Sequence, residues 1–373
     1  MFQDYRRSTH MKTLNQSKRY AALRVSTLSC TEHLRRSIKG ILLAGGLAAA
    51  LGVPAWAAQN TDAASDPESA AHAAWHKIMK QAPATEQGCF HAAYPSIVWE
   101  KVDCEIGPAR VPTHVKPTGG EAEVVGNGGD YVGEATGLIS SAAGDFVVSG
   151  VKSEKSVGVA AFGGGGILGS NEYSVQLNTN DKTSTPACAG HSGCTVWQQF
   201  VYATDYYGAG TAAVFMQYWL LDWGSSACPS GWGKYGSDCF TNSPLAPATD
   251  IPITSLAKLE LGASVQAGGF DSVTLYYGSD AVTMNWFDNM LDISSVWNKV
   301  EFNIVGDAGG SQAQFNSGSS LKVIFSFFDG SATKPKCLAN SGTTGETNNL
   351  KLGACTASIG IFGIPLIEFT ESN

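Results

Sequence analysis

The sequence predicts an all-β protein: an antiparallel two-sheet jelly-roll sandwich over residues 119–373, preceded by a short N-terminal arm. From Gly119 onward, short runs rich in Val, Ile, Tyr, Phe and Thr are separated by clusters of Gly, Asn, Asp and Ser, the rhythm of strands and turns in stacked antiparallel sheets. Glycine is abundant, 43 of 373 residues, which suits a fold made of many tight turns. No repeat period and no coiled-coil heptad cuts across that rhythm.

Residues 1–57 read as an export signal. A basic stretch with Arg35, Arg36 and Lys39 leads into an apolar run over 41–53, followed by Ala55-Trp56-Ala57 as a small-x-small cleavage site. The apolar run is too short to span a bilayer as a permanent helix, so the mature chain is expected to carry no membrane segment. Cleavage after Ala57 leaves 316 residues. Residues 58–118 read as an arm or pro-segment, with an amphipathic helix over 70–80 and then an extended stretch bearing Cys89 and Cys104. His72 and His76 stand at i,i+4 spacing on that helix, but no glutamate follows His72 to make a zinc motif, so they read as part of a polar face. Strands are expected at 146–151, 172–178, 196–203, 214–221, 272–277, 300–305 and 321–327, with one brief helix at 288–296.

The chain carries 24 Lys+Arg and 32 Asp+Glu. Nine of the bases and two of the acids lie in 1–57, so the mature protein has 15 basic and 30 acidic side chains and a net charge of −15. Such a surface repels phosphate backbones and anionic lipids, which disfavours nucleic-acid and membrane-surface partners. It also suits an acidic medium. Of nine cysteines, Cys30 leaves with the signal; the other eight form four close pairs, Cys89/Cys104, Cys188/Cys194, Cys228/Cys239 and Cys337/Cys355. An even count behind an export signal argues for disulfides, and local pairing is preferred among the 105 possible connectivities. Zinc is disfavoured, because no CxxC occurs and His is scarce after residue 114. No metal or cofactor is expected.

Several catalytic patterns are missing. There is no GxSxG, and Gly190-His191-Ser192-Gly193 sits inside a cysteine loop. The Gly163–166 run lacks the Lys-Ser/Thr of a phosphate cradle. No ExDxE pair of the kind used by sandwich glycosidases falls on a strand. One strand does stand out. In Val300-Glu301-Phe302-Asn303-Ile304-Val305, three apolar residues take one face and Glu301 with Asn303 the other. A carboxylate on the open face of a sheet can be a general base or a plain solvated charge. In Thr195-Val196-Trp197-Gln198-Gln199-Phe200 the two glutamines must face opposite ways, and Phe215, Gln217, Trp219 and Trp223 share a face of the next strand. Rings beside amides make a floor for a peptide or a sugar, or a packed core.

The order of Tyr173–Asn178, Trp197–Val201, Phe215–Trp223 and Val300–Val305, with Gly309-Gly310-Ser311 after the last, resembles the glutamic peptidases (eqolisins) over residues 170–330. Tyr173 stands where that family usually has Trp, Phe200 where a small residue follows the glutamine, and Gly306 where a second acid is common. The whole chain also looks like exported bacterial proteins. The resemblance implies a secreted, acid-active endopeptidase on a concanavalin-like sandwich. It implies Gln198 as oxyanion donor and Glu301 as general base. It also implies Tyr173, Gln217, Trp219 and Asp222 around a polypeptide substrate. A Glu base and a Gln donor need neither metal nor nucleophile, and an unperturbed Glu at ~4.3 sets acid operation. The alternatives are a non-catalytic carbohydrate-binding sandwich and a polysaccharide-cleaving enzyme, both with a glycan partner.

Overall fold

A computed structural model describes residues 67–107, 124–159, 164–224 and 226–373 of the chain. The expected export signal and parts of the arm, 58–66 and 108–118, lie outside the described residues. What is described forms one unit, Ala63–Asn373, of two stacked sheets, thirteen-stranded and nine-stranded. Among the described residues no helix is long and apolar enough to cross a membrane.

Every expected strand is present with ends shifted by a few residues, for example Thr195–Ala203, Ala212–Leu221 and Lys299–Gly306. The helix expected at 288–296 is two single turns of 3₁₀ helix, Asp288–Met290 and Ile293–Ser295. The sheets are antiparallel apart from a short parallel pairing of Ser311–Phe315 with Thr347–Ile359. All four expected disulfides are present: Cys89–Cys104, Cys188–Cys194, Cys228–Cys239 and Cys337–Cys355. Cys194 stands just before the strand Thr195–Ala203 and Cys239 within Asp238–Asn242. Both are buried in the main apolar core, so their bridges pin the loops 188–194 and 228–239 to the sheet that carries the site.

The nine-stranded sheet runs through Asp238–Asn242, Ala212–Leu221, Thr195–Ala203, Tyr173–Asn178, Lys299–Gly306 and Val132–Glu134. Its inner face packs on the thirteen-stranded sheet. Phe302 of the Glu301 strand stacks on Phe146 at 5.0 Å between ring centres and meets Phe325. That approach depends on Gly144: a Cβ there would lie 2.4 Å from the Phe302 ring. The Glu301 strand is thereby held at a fixed depth by a missing methyl on the facing sheet.

The described part of the arm, 67–107, lies along the sheet edge. Gly88–Ala93 pairs with Asp280–Phe287, Glu100–Val102 extends that edge, and Glu105 bridges to Leu245. The helix Pro67–Gln81 starts with Pro and Glu68 and ends with Lys80, the polarity that suits a helix dipole. It buries Trp75 and Met79, one turn apart, against Ala92, Tyr276 and Ala281. So 67–107 contributes sheet edge and a covering helix. The strand signal is weak there because His91, Ala92 and Ala93 have no β-branched neighbours and the second strand is three residues long.

Candidate active site

Strand register, not sequence distance, assembles the site. Residues directly opposite in an antiparallel pair point to the same face. Glu301 pairs with Asn178, Asn178 with Gln199, Gln199 with Gln217 and Gln217 with Asn242. Five polar side chains thus line up across five strands on the outer face of the nine-stranded sheet. Beside this row lie Asn303 and Gln176 on one flank and Trp197, Trp219 and Phe240 on the other.

The row is wired together. Gln199 Nε2 donates to Gln176 Oε1 at 3.0 Å, and Gln176 Nε2 donates to Ser174 Oγ at 3.0 Å. Asn178 Nδ2 donates to Glu301 Oε2 at 3.2 Å. Trp219 Nε1 donates to Gln217 Oε1, and Gln217 Nε2 to Asn242 Oδ1, both at 2.8 Å. An amide NH2 carries two hydrogens, and one of the Gln199 pair is bound to Gln176.

Glu301 is not the open-face residue its alternation suggests: only 2% of it is exposed. The segment after Cys337 covers it. Thr343 donates to Glu301 Oε2 twice, from its backbone N at 2.8 Å and from Oγ1 at 2.6 Å, and Trp197 Nε1 donates to Thr343 Oγ1 at 3.0 Å. Glu301 Oε1 accepts nothing. Gly342 presses on that atom, since a Cβ there would stand 2.7 Å from Oε1 and 3.0 Å from Asp130 Cβ. Asp130 is fully buried beside Glu301, and its Oδ1 accepts from Asn303 Nδ2 at 2.9 Å. Burial, and then the charge of Glu301, raise the Asp130 carboxyl well above its ordinary range. Glu371, which shares Asn303 with Asp130, is pushed up to about 8 by burial, although bonds from Asn303 and Asn348 pull it back.

The other residues picked from sequence divide between the two faces. Gln198 is turned into the inter-sheet core, where Nε2 donates to Asp271 Oδ2 of the opposite sheet at 2.9 Å. The structure therefore does not bring Gln198 and Glu301 together; the sheet lies between them. The glutamine on Glu301's face is Gln199. Tyr173 is also in the core, its hydroxyl donating to Ile251 O at 2.8 Å. Asp222 is exposed in the turn after its strand, at φ +51°. Gln217 and Trp219 do lie on Glu301's face. The eight cysteines stay outside the row: Cys89, Cys188, Cys194 and Cys239 are buried in the core, and Cys104, Cys228, Cys337 and Cys355 pack half-buried against it. Asp130, Asn178 and Thr343 are the residues that sequence reasoning missed. Asn178 could have been found by pairing strands in register, but Asp130 and Thr343 sit in loops more than 200 residues apart, with no periodicity to mark them.

A second groove lies elsewhere, on the outer face of the thirteen-stranded sheet. It encloses about 440 Å3 over a floor of small residues such as Ser141, Gly262 and Thr274, with Trp99, Tyr276 and Phe328 at its sides. No described group of three or more His, Cys, Asp and Glu is placed to hold a metal ion.

No protein-family model matches the chain, and no curated protein matches it. A solved structure similar to it is a scytalido-glutamic peptidase with a transition state analog inhibitor. The match covers 66% of this chain and 97% of that one, at 9% identity and a TM-score of 0.25. A superposition that loose places no side chain.

Proposed function

We propose that this protein is a secreted, acid-active hydrolase of peptide bonds, with Glu301 as general base and Gln199 as oxyanion donor. The observation that carries the reading is the row on the outer face of the nine-stranded sheet. There a carboxylate and a glutamine amide point the same way, with one strand between them. Adjacent strands lie ~4.8 Å apart, so these two backbones are separated by roughly 10 Å, a gap that a peptide group and one water can bridge. Glu301 would take a proton from the water as its oxygen attacks the carbonyl carbon. Gln199 would donate to the oxygen that becomes negative, and the proton would pass from Glu301 to the departing amine. Export rests on the signal-like 1–57 and on four disulfides.

In the described state the base is capped, so substrate reaches it only when Gly342 and Thr343 lift away. The test is digestion of a denatured protein at about pH 3–5, with and without acid preincubation. Glu301→Gln and Gln199→Ala should each lose on the order of a hundredfold or more in rate. Gln198→Ala should lose rate only as far as it loses folded protein. Equal cleavage by wild type, Glu301→Gln and Gln199→Ala removes the assignment.

A carbohydrate-binding sandwich is the second reading, and the groove on the other sheet favours it, because rings flanking a hydroxyl-bearing floor suit a sugar chain. Retardation of the protein in gels containing a neutral polysaccharide, lost in Trp99→Ala, would support that reading; no retardation in any such gel would end it.

A further inference from the structure

Two buried oxygens face a problem that neither can solve as a bare acceptor. Glu301 Oε1 and Asp130 Oδ2 both lie out of water with no hydrogen-bond partner. Both belong to carboxyl groups, which when ionised can accept hydrogen bonds but not donate them. The two side chains adjoin closely enough to affect each other through a side-chain hydrogen bond as well as through charge, and Gly342 abuts both. One proton between them satisfies both atoms at once.

We infer that Asp130 and Glu301 form a carboxyl pair sharing one proton, held on Asp130 Oδ2 and donated to Glu301 Oε1, with Asp130 acting as a positioning residue for Glu301. The donor count decides which carboxyl keeps the proton. Glu301 Oε2 receives three hydrogen bonds, from Asn178 Nδ2, Thr343 N and Thr343 Oγ1, and donors directed at a carboxylate favour its charged form. Asp130 receives one such bond from a side chain, from Asn303. The pair's negative charge therefore sits on Glu301 and its proton on Asp130.

The surroundings reinforce this. The charged groups that act on Asp130 are both acids, Glu301 on Lys299–Gly306 and Glu371 on Pro365–Ser372, and against them stand the hydrogen bond from Asn303 and one from the backbone of Gly126. Two carboxyls this close in a dry site do not both ionise. For Glu301 the consequence is orientation: with Oε2 fixed by Thr343 and Asn178 and Oε1 fixed by Asp130, the carboxylate cannot rotate. The role of the pair in hydrolysis rests on the function proposed above, but its existence does not.

The test is a potentiometric titration of the folded protein, comparing wild type with Asp130→Asn. The difference curve reports the proton of Asp130. It should leave well above the ordinary aspartate value of ~3.9, with less than half released at pH 5. A difference curve centred near 4 overturns the inference. Should Asp130→Asn fail to fold, Glu301→Gln serves instead: without the neighbouring charge, the Asp130 proton should leave at least one pH unit lower, and an unmoved release overturns the pair. A second arm follows the pH–rate profile. In Asp130→Asn the amide keeps donating to Oε1 at every pH, so the alkaline limb should move to higher pH while KM changes little; an unmoved limb counts against the positioning role. Proteolysis with an ordinary Asp130 titration refutes the pair and leaves the function standing. A raised titration with no proteolysis by wild type does the reverse.

Discussion

Replacing Glu154 by glutamine should stabilise this protein at neutral pH and do little in acid. Glu154 is 3% exposed on the strand Glu154–Gly158, and neither carboxyl oxygen has a hydrogen-bond donor. Burial, then the neighbouring Glu172 charge, push it from 4.5 up to about 9. The backbone N–H groups of Asn171 and Glu172 pull the other way without reaching bonding geometry. The native state therefore keeps a proton that the unfolded chain releases near pH 4.5. For a carboxyl raised in this sense, stability is complete below the unfolded value and is lost as pH rises toward the folded one. From about 4.5 to 7 is roughly 2.5 pH units, and each unit is worth ~1.4 kcal/mol, so wild type gives up about 3.5 kcal/mol by pH 7. Glu154→Gln has no such loss. Its unfolding temperature should exceed that of wild type by roughly 4–7 °C at pH 7 and match it near pH 4. Thermal unfolding followed by circular dichroism between pH 4 and 8 measures the gap. The other raised carboxyls, Asp130, Asp145, Asp250, Asp271 and Glu371, are common to both proteins and cancel in the comparison. Parallel profiles across that window would refute the argument.

Gly342→Ala should disturb the candidate site selectively, because its Cβ would press on Glu301 Oε1 and Asp130; a loss of about 1–3 kcal/mol in urea unfolding is expected, and no loss would mean that the two carboxyls lie farther from the loop. Gly144→Ala should cost a similar amount by displacing Phe302, and if the site is as drawn, any acid proteolysis should fall with it. Serine at Cys337 and Cys355 frees the strand that follows the Thr343 segment, and should lower stability by about 2–4 kcal/mol while speeding amide hydrogen exchange at Thr343; unchanged exchange would show that the disulfide does not hold the cap. A chain shortened to begin at Gly119 should unfold or aggregate, since it bares the Asp280–Phe287 edge and the Tyr276 face; a soluble, β-rich product would show instead that 67–107 is dispensable.

Sequence alone determined the architecture and the covalent frame. Period-two alternation says which residues of one strand share a face, so the all-β class, the placing of Phe302 opposite Glu301 and most strand positions were legible. The four cysteine pairs were legible too, since each closes a short loop. Alternation leaves open which face is which when both are mixed. Gln198 and Gln199 sit in a strand buried on both sides, Val196, Phe200 and Tyr202 against Trp197 and Val201, so hydrophobicity could not choose between them. A slip of one residue reverses every side chain, and the register Glu301–Asn178–Gln199, set by three strands together, made the choice. Tertiary structure also decided the environment of Glu301. A strand pattern carries no information about a loop arriving from elsewhere in the chain, and it was Asp130 and Thr343, brought in from segments far apart in sequence, that turned an apparently solvated carboxylate into a buried, hydrogen-bonded one.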